Sequence, residues 1–219
     1  VPSAGDNIIV RTGVTVTIAA DLDLGTFGAL ELQGTGIIEI AADKTVATVP
    51  ANWVISENIG TISDNKGTVT TNSGTVTSNN GTITSNNGTV TSNNGTIANN
   101  VTGNTVAINS GTVEINYGIV TDNGGPILIN YGTVTGNSNT VTTNAGTVMT
   151  NASGGRILSN LGTVTTNNSG GKVYGNIGTV TTNNGTVYTD TPGTTELLTR
   201  VRDTDLADII EDTENIQSR

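Results

Sequence analysis

Residues 67–94 read GTVTTNS GTVTSNN GTITSNN GTVTSNN, one seven-residue phrase given four times without a break. The phrase begins at Gly60 and continues to about Asp190. Glycines mark it at 60, 67, 74, 81, 88 and 95, and again at 103, 111, 118, 125, 132, 146, 155, 162, 171, 178 and 185. One apolar side chain per unit buries too little for a unit to fold alone. Stability must come from stacking copies, so the chain is expected to be an all-β solenoid or an intertwined fibre. Most enzyme architectures are thereby excluded.

Counting each unit from its glycine, position 3 is Val or Ile and position 6 is Asn. The expected core is Ile62, Val69, Val76, Ile83, Val90, Ile97, Val113, Val120, Ile127 and Val134. The expected ladder is Asn65, Asn72, Asn79, Asn86, Asn93, Asn116, Asn123 and Asn130, whose stacked amides can bond along the axis. Positions 2 to 5 should form a short strand with position 3 inward, as β-branched residues in register favour. Asn and Gly should turn the corner, because both accept left-handed backbone angles. Apolar residues at position 7 (Ile59, Tyr117, Tyr131, Leu161, Ile177) recur in alternate units, which favours two units per rung of a parallel β-solenoid. About nine rungs would then span roughly 43 Å. Two alternatives remain open: a meander with Asn-Gly hairpins at 80–81, 87–88 and 94–95, and a homotrimer in which three chains share each turn.

Composition supports ordered β structure over a globule or a disordered chain. Aromatics are 3% and charged residues 12%, yet Val, Ile and Thr keep a strict register, unlike disordered sequences. The net charge of −10 sits at the ends, since residues 60–188 hold Asp64, Glu114 and Asp122 against Lys66, Arg156 and Lys172. With no basic patch or aromatic row, nucleic acid is not an expected partner. The chain has no cysteine and no histidine, which removes disulfides, thiolate metal sites and the commonest acid–base group, so no metal or cofactor is expected. No run is long enough for a membrane-spanning helix, so no membrane insertion is expected. The sequence starts at Val1 without a basic n-region, so a signal peptide is expected to be absent or already removed.

The ends differ from the array at 53–189. Residues 1–52 alternate apolar and polar residues at 7–11 (NIIVR), 14–19 (VTVTIA), 29–33 (ALELQ) and 36–41 (GIIEIA), expected as short strands of a β-rich cap or lead-in turns, or as a separate small domain. Residues 190–219 switch to helical spacing. Leu198, Val201, Leu206, Ile209, Ile210 and Ile216 form an apolar stripe expected to pack on the solenoid end or, preferably, to bundle with copies of itself.

Three chemistries have candidate residues. Glycan hydrolysis needs paired carboxylates, but Glu114 and Asp122 lie at positions 4 and 5 of neighbouring units, on opposite strand faces. Calcium nonapeptides need an acid after Gly-Gly, and none follows at 124–125, 154–155 or 170–171. Threonine pairs are more notable. In consecutive strands Thr68 and Thr70, Thr75 and Thr77, Thr82 and Thr84, and Thr89 and Thr91 would form a flat hydroxyl array. That array resembles the ice-binding face of insect and bacterial antifreeze solenoids. Against it, the pairs fall in both odd and even units rather than on one face, and Glu114, Leu128 and Tyr174 interrupt the column.

The opening phrase GDNIIVRTGVTVTIAADLDLG…LELQGTGIIEI (5–40) and the closing phrase LLTRVRDTDLADIIEDTENIQSR (197–219) resemble bacteriophage tail-fibre and virion-appendage proteins with a repetitive β-helix shaft. The heptad departs from the repeat length of known triple-stranded phage β-helices. The resemblance implies a non-enzymatic shaft on a virion or other extracellular surface. Its implied partners are copies of itself (a homotrimer), other virion or surface structural proteins, and a cell-surface glycan. It supplies no catalytic residues. The alternatives are a bacterial or archaeal extracellular filament or adhesin, and an ice-binding solenoid.

Overall fold

The computed structural model describes residues 4–28, 30–32 and 37–189. Strand pairing in the array is parallel and joins residues one turn apart. Thr82 pairs with Thr68 and Thr96, while Thr89 pairs with Thr75 and Thr105. Alternate strands therefore fall into two sheets. One has twelve strands, from Thr15–Ile18 to Thr186–Val187, and the other has ten, from Thr45–Val49 to Thr179–Asn183. Two units make each turn of a parallel β-solenoid, and a single chain closes it. Hairpins are excluded, because a two-residue turn requires antiparallel neighbours. At about 4.8 Å per strand the longer sheet runs for roughly 53 Å.

Most strands of the array extend from position 2 to position 6, as in Thr82–Asn86, and show the burial of a bent element. Ile83 and Asn86 are both 0% exposed although three residues apart. A flat pleat alternates its faces at every residue and cannot bury both. Register partners exist for Thr82, Ile83, Ser85 and Asn86 but not for Thr84. The strand bends at position 4, and positions 3 and 6 both turn inward. The asparagine expected at the corner is instead the last, fully buried residue of the strand. Each turn encloses two aliphatic side chains and two asparagines. Burial of each Val or Ile contributes about 1.5–3 kcal/mol.

The repeating glycines also have a different cause from the one expected. Positive φ occurs at Gly5, Gly13, Gly103, Gly154, Gly170, Gly175 and Asp43, and at none of the regular position-1 glycines. What those positions require is room. A Cβ on Gly81 would fall on the carbonyl oxygen of Gly67, and one on Gly95 would fall on that of Gly81.

Three of the left-handed glycines belong to inserted loops of the array. Asn104, Gly155 and Gly171 donate their N–H to the carbonyls of Val101 (3.2 Å), Ala152 (2.9 Å) and Asn168 (2.8 Å). Gly103, Gly154 and Gly170 occupy the third position of these four-residue turns, where positive φ is needed. Gly103 is thus a loop residue, and Asn104 stands at position 1 of the next unit.

In the lead-in, the strands Ile8–Val10, Thr15–Ile18, Leu30–Leu32 and Ile37–Ile40 lie within the stretches read as extended, and Thr45–Val49 adds another. Ile8–Val10 pairs with Leu30–Leu32 in a small separate sheet. Ile40 pairs with Asn58 and Val49 with Asn65, so the asparagine columns continue as aliphatic ones. Trp53 is buried, donates its indole N–H to the Gly28 carbonyl at 3.2 Å, and lies 6.4 Å from the Phe27 ring. The helix expected around Leu198, Val201, Leu206, Ile209, Ile210 and Ile216 lies outside the described residues.

Gly81→Ala is expected to destabilise the fold by about 3 kcal/mol, since the backbones of two turns must part. Gly103→Ala should cost about 1 kcal/mol, the penalty for a left-handed alanine. Denaturant midpoints of the two variants compare them, and equal losses would refute the stacking account.

Candidate functional site

The most distinctive chemical feature of the molecule is internal. Asn58, Asn72, Asn86, Asn100, Asn116, Asn130, Asn144 and Asn160 form one column, each Nδ2 donating to the Oδ1 of the next at 2.7–2.8 Å. The column ends on Asn176 at 2.7 Å. A second column begins at Asn65 and passes through Asn79, Asn93, Asn109, Asn123, Asn137, Asn151 and Asn167 to Asn183, also at 2.7–2.8 Å. The residues from Asn58 to Asn167 in these columns are 0% exposed.

The amide is suited to this task because it carries both a donor and an acceptor, so each member can pass the bond on. In most members the second N–H reaches a backbone carbonyl, as from Asn116 to Gly118 (3.2 Å) and from Asn130 to Gly132 (3.2 Å). That contact fixes the amide's orientation, because Oδ1 cannot bond a carbonyl. All the side-chain dipoles therefore point one way. At the start of each column, Oδ1 of Asn58 and of Asn65 is buried without a partner, facing the aliphatic lead-in.

The aliphatic set Ile62, Val69, Val76, Ile83, Val90, Ile97, Val113, Val120, Ile127 and Val134 is 0% exposed, as are Ile55, Val106, Val141, Val148, Ile157 and Val164. The further ladder members, such as Asn100, Asn109 and Asn137, carry the same signal once the inserted loops are discounted. The loops also explain three Asn-x-Ser/Thr motifs in the sequence. Asn100-Val-Thr102, Asn151-Ala-Ser153 and Asn167-Asn-Ser169 are each a ladder asparagine followed by a loop, and buried asparagines are closed to glycosylation.

On the outside, the expected carboxylate partners are separated. Glu114 is on the twelve-stranded sheet and Asp122 on the ten-stranded one, both solvent-facing. Asp64 accepts from Asn80 at 2.7 Å and lies 3.4 Å from the Lys66 ammonium. No group of three or more potential metal ligands occurs among the described residues. An apolar cavity of about 380 Å³ at the lead-in end, lined by Ile18, Leu24, Phe27, Ile38 and Trp53 among others, has no titratable group among its described lining residues.

The threonine pairs are divided between the two sheets, as their occurrence in both odd and even units implies. Thr68, Thr70, Thr82 and Thr84 are on the twelve-stranded sheet, whereas Thr75, Thr77, Thr89 and Thr91 are on the ten-stranded one. The cause is the two-unit turn, which sends successive units to opposite faces. The position-4 members Thr70, Thr77, Thr84 and Thr91 are all exposed where the strand bends and have no register partners, whereas the position-2 threonines pair, as Thr68 does with Thr82 and Thr75 with Thr89. Thr70 is thus set off from Thr77 and Thr91 by the whole thickness of the rod.

The ten-stranded face keeps small or hydroxyl residues at position 4 in Ser63, Thr77, Thr91, Ala107, Thr121, Thr135, Thr165 and Thr181, with Met149 the exception. The twelve-stranded face, which carries Thr70 and Thr84, diverges after Ala98 into Glu114, Leu128, Leu158, Tyr174 and Tyr188, with Thr142 among them. Tyr174 stacks on Tyr188 at 4.7 Å and Tyr117 on Tyr131 at 5.1 Å, with Arg156 over Tyr174 at 5.8 Å. Each pair turns ring faces toward itself, leaving mainly edges outward.

Comparisons with protein-family models, with curated proteins and with solved structures find no match.

Asn116→Ala is expected to cost about 3 kcal/mol, because it orphans the Asn100 donor and the Asn130 acceptor inside the core. Asn58→Ala removes an already unpartnered oxygen and should cost about 1 kcal/mol. Denaturant midpoints test the pair, and an equal cost at both positions would contradict a directional ladder.

Proposed function

We propose that the chain is a non-catalytic spacer, the rigid shaft of an appendage on a virion or another extracellular surface. The observation that carries this reading is the pair of asparagine columns running unbroken from Asn58 and Asn65 to Asn176 and Asn183. With the two parallel sheets, they bond each turn to the next through backbone and core alike. Bending such a rod breaks buried bonds, and fraying it exposes unsatisfied amides. The work of the molecule is then mechanical, holding what lies at one end at a fixed distance from the other.

A phage tail fibre or spike shaft is the first form of this reading, supported by the likeness of the two end phrases to virion appendages. A bacterial or archaeal surface filament or adhesin is the alternative form. Other structural proteins of the same assembly are the natural partners, and Leu198, Val201, Leu206, Ile209, Ile210 and Ile216 are the candidates for self-assembly. A second reading, ice binding, draws on the ten-stranded face alone, where Thr75, Thr77, Thr89 and Thr91 continue in a regular hydroxyl array. Thr68, Thr70, Thr82 and Thr84 on the other sheet would take no part in it.

Antibodies to the purified chain should decorate an appendage of purified virions in electron micrographs. Label confined to cell-surface filaments would favour the alternative. The purified protein should show no thermal hysteresis. Measurable hysteresis, abolished by Thr77→Lys with Thr91→Lys, would replace the shaft reading with ice binding.

A further inference from the structure

The two halves of each turn are near copies, so the rod has two edges built from the same position of the unit. The edges are chemically unlike. One carries Lys66, Asn80, Asn94, Ser110, Gly124 and Ser138. Its polar groups bond to one another: Asn94 donates to Asn80 at 3.1 Å, and Asn80 to Asp64 at 2.7 Å. Along the other edge, six successive turns present Val101, Tyr117, Tyr131, Ala145, Leu161 and Ile177. Tyr117, Tyr131, Leu161 and Ile177 are 44%, 50%, 50% and 79% exposed.

Folding does not require this apolar character. Ser73 and Asn87 hold the same position on earlier turns and make the same backbone bond, to the carbonyls of Asn58 (2.8 Å) and Asn72 (2.7 Å). Tyr117 and Tyr131 do so with Asn100 and Asn116, both at 2.8 Å. Any outward residue suits the site, and a run of six uncharged, mostly large apolar residues points to something that covers it.

We propose that this edge is a homotypic contact, along which a second copy of the chain lies lengthwise. The stripe repeats at about 4.8 Å per turn over roughly 24 Å. A partner that meets every turn needs the same repeat, and this chain has it. An α-helix, with its pitch of about 5.4 Å, would lose step over that length. The six-residue column carries no charge, so two identical stripes meet without like-charge repulsion. At about 10 Å wide the stripe gives roughly 240 Å² per copy, well below the ~800 Å² of a standard stable interface. The contact is therefore weak for a free pair and effective where copies are held side by side, as around a shaft. The contact goes beyond the spacer reading, and a rod that remains monomeric would overturn it while leaving that reading intact.

Sedimentation equilibrium of the full chain, from about 10 µM to about 1 mM, tests it across the range of a weak interface. The average mass should rise with concentration. Tyr117→Ser with Tyr131→Ser should weaken association about tenfold, as loss of central aromatic anchors does. Asn80→Ser with Asn94→Ser, on the polar edge, should leave it unchanged. Circular dichroism verifies folding, and Leu161→Ser provides a second edge variant should the double variant fail to fold. A monomer at every concentration, including one whose edge is covered by residues 190–219 of the same chain, overturns the proposal. So does an edge variant that associates like the parent.

Discussion

Stacking on a copy of itself is the constraint from which this molecule follows. Every residue must be compatible with the residue one turn above and one turn below, at about 4.8 Å. Apolar side chains meet that condition easily, since Val on Val packs well. A buried polar group meets it only if it is both donor and acceptor. Asparagine is short enough to fit and bonds to its own copy; an aspartate column would confront carboxylate with carboxylate. Glycine at position 1 meets the condition in another way, by removing the atom that would strike the carbonyl of the preceding turn.

The core is accordingly half polar, and its stability has two components of different kinds. The aliphatic column at position 3 supplies burial, which is tolerant of shape and insensitive to order along the axis. The asparagine columns contribute modestly per bond but penalise every alternative, because a slipped turn would bury an unpaired amide. That asymmetry sets register. The strands are nearly identical in sequence, and a slip by one whole turn would otherwise cost little. The lead-in, where Ile40 and Val49 replace asparagine, gives the columns a defined beginning. That beginning leaves two buried carbonyl oxygens without donors.

Much of this is legible in the sequence, and the failures are instructive. Position 3 reads directly as a core column, because Val or Ile recurs there while its neighbours are polar. The parallel two-unit turn follows from apolar residues in alternate units. That same turn divides the threonines, so Thr70 and Thr77, seven residues apart and alike in phrase, face opposite ways. The inward asparagine is harder to read, since a spacing of three contradicts the alternation of a pleated strand, and the bend at position 4 has no residue signature. Left-handed angles are the usual reason for a recurring glycine, whereas the pressure here is contact with the turn below. A truly left-handed glycine is hidden by the beat itself. Gly103 resembles a unit start and lies one residue before it, which also conceals Val106 and Asn109.

The shared heptad also makes its own exceptions informative. Two halves of a turn with the same phrase would give two identical faces and two identical edges. Any lasting difference between them is therefore unrelated to the needs of the fold, which the unmodified phrase already satisfies. The outer face of the ten-stranded sheet stays close to the phrase, and that of the twelve-stranded sheet leaves it after Ala98. Over the same turns one edge keeps small or polar residues (Ser110, Gly124, Ser138, Ala152, Asn168), and the other turns to tyrosine, leucine and isoleucine. Core positions 3 and 6 do not vary in step with them: Val113 and Asn116 remain as buried as Val69 and Asn72. Among the described residues of the array, the bulky and aromatic position-4 and position-7 residues after Ala98 gather mainly on one side, with Met149 on the other face. On the proposed shaft reading, such a side would give the rod a preferred orientation about its axis.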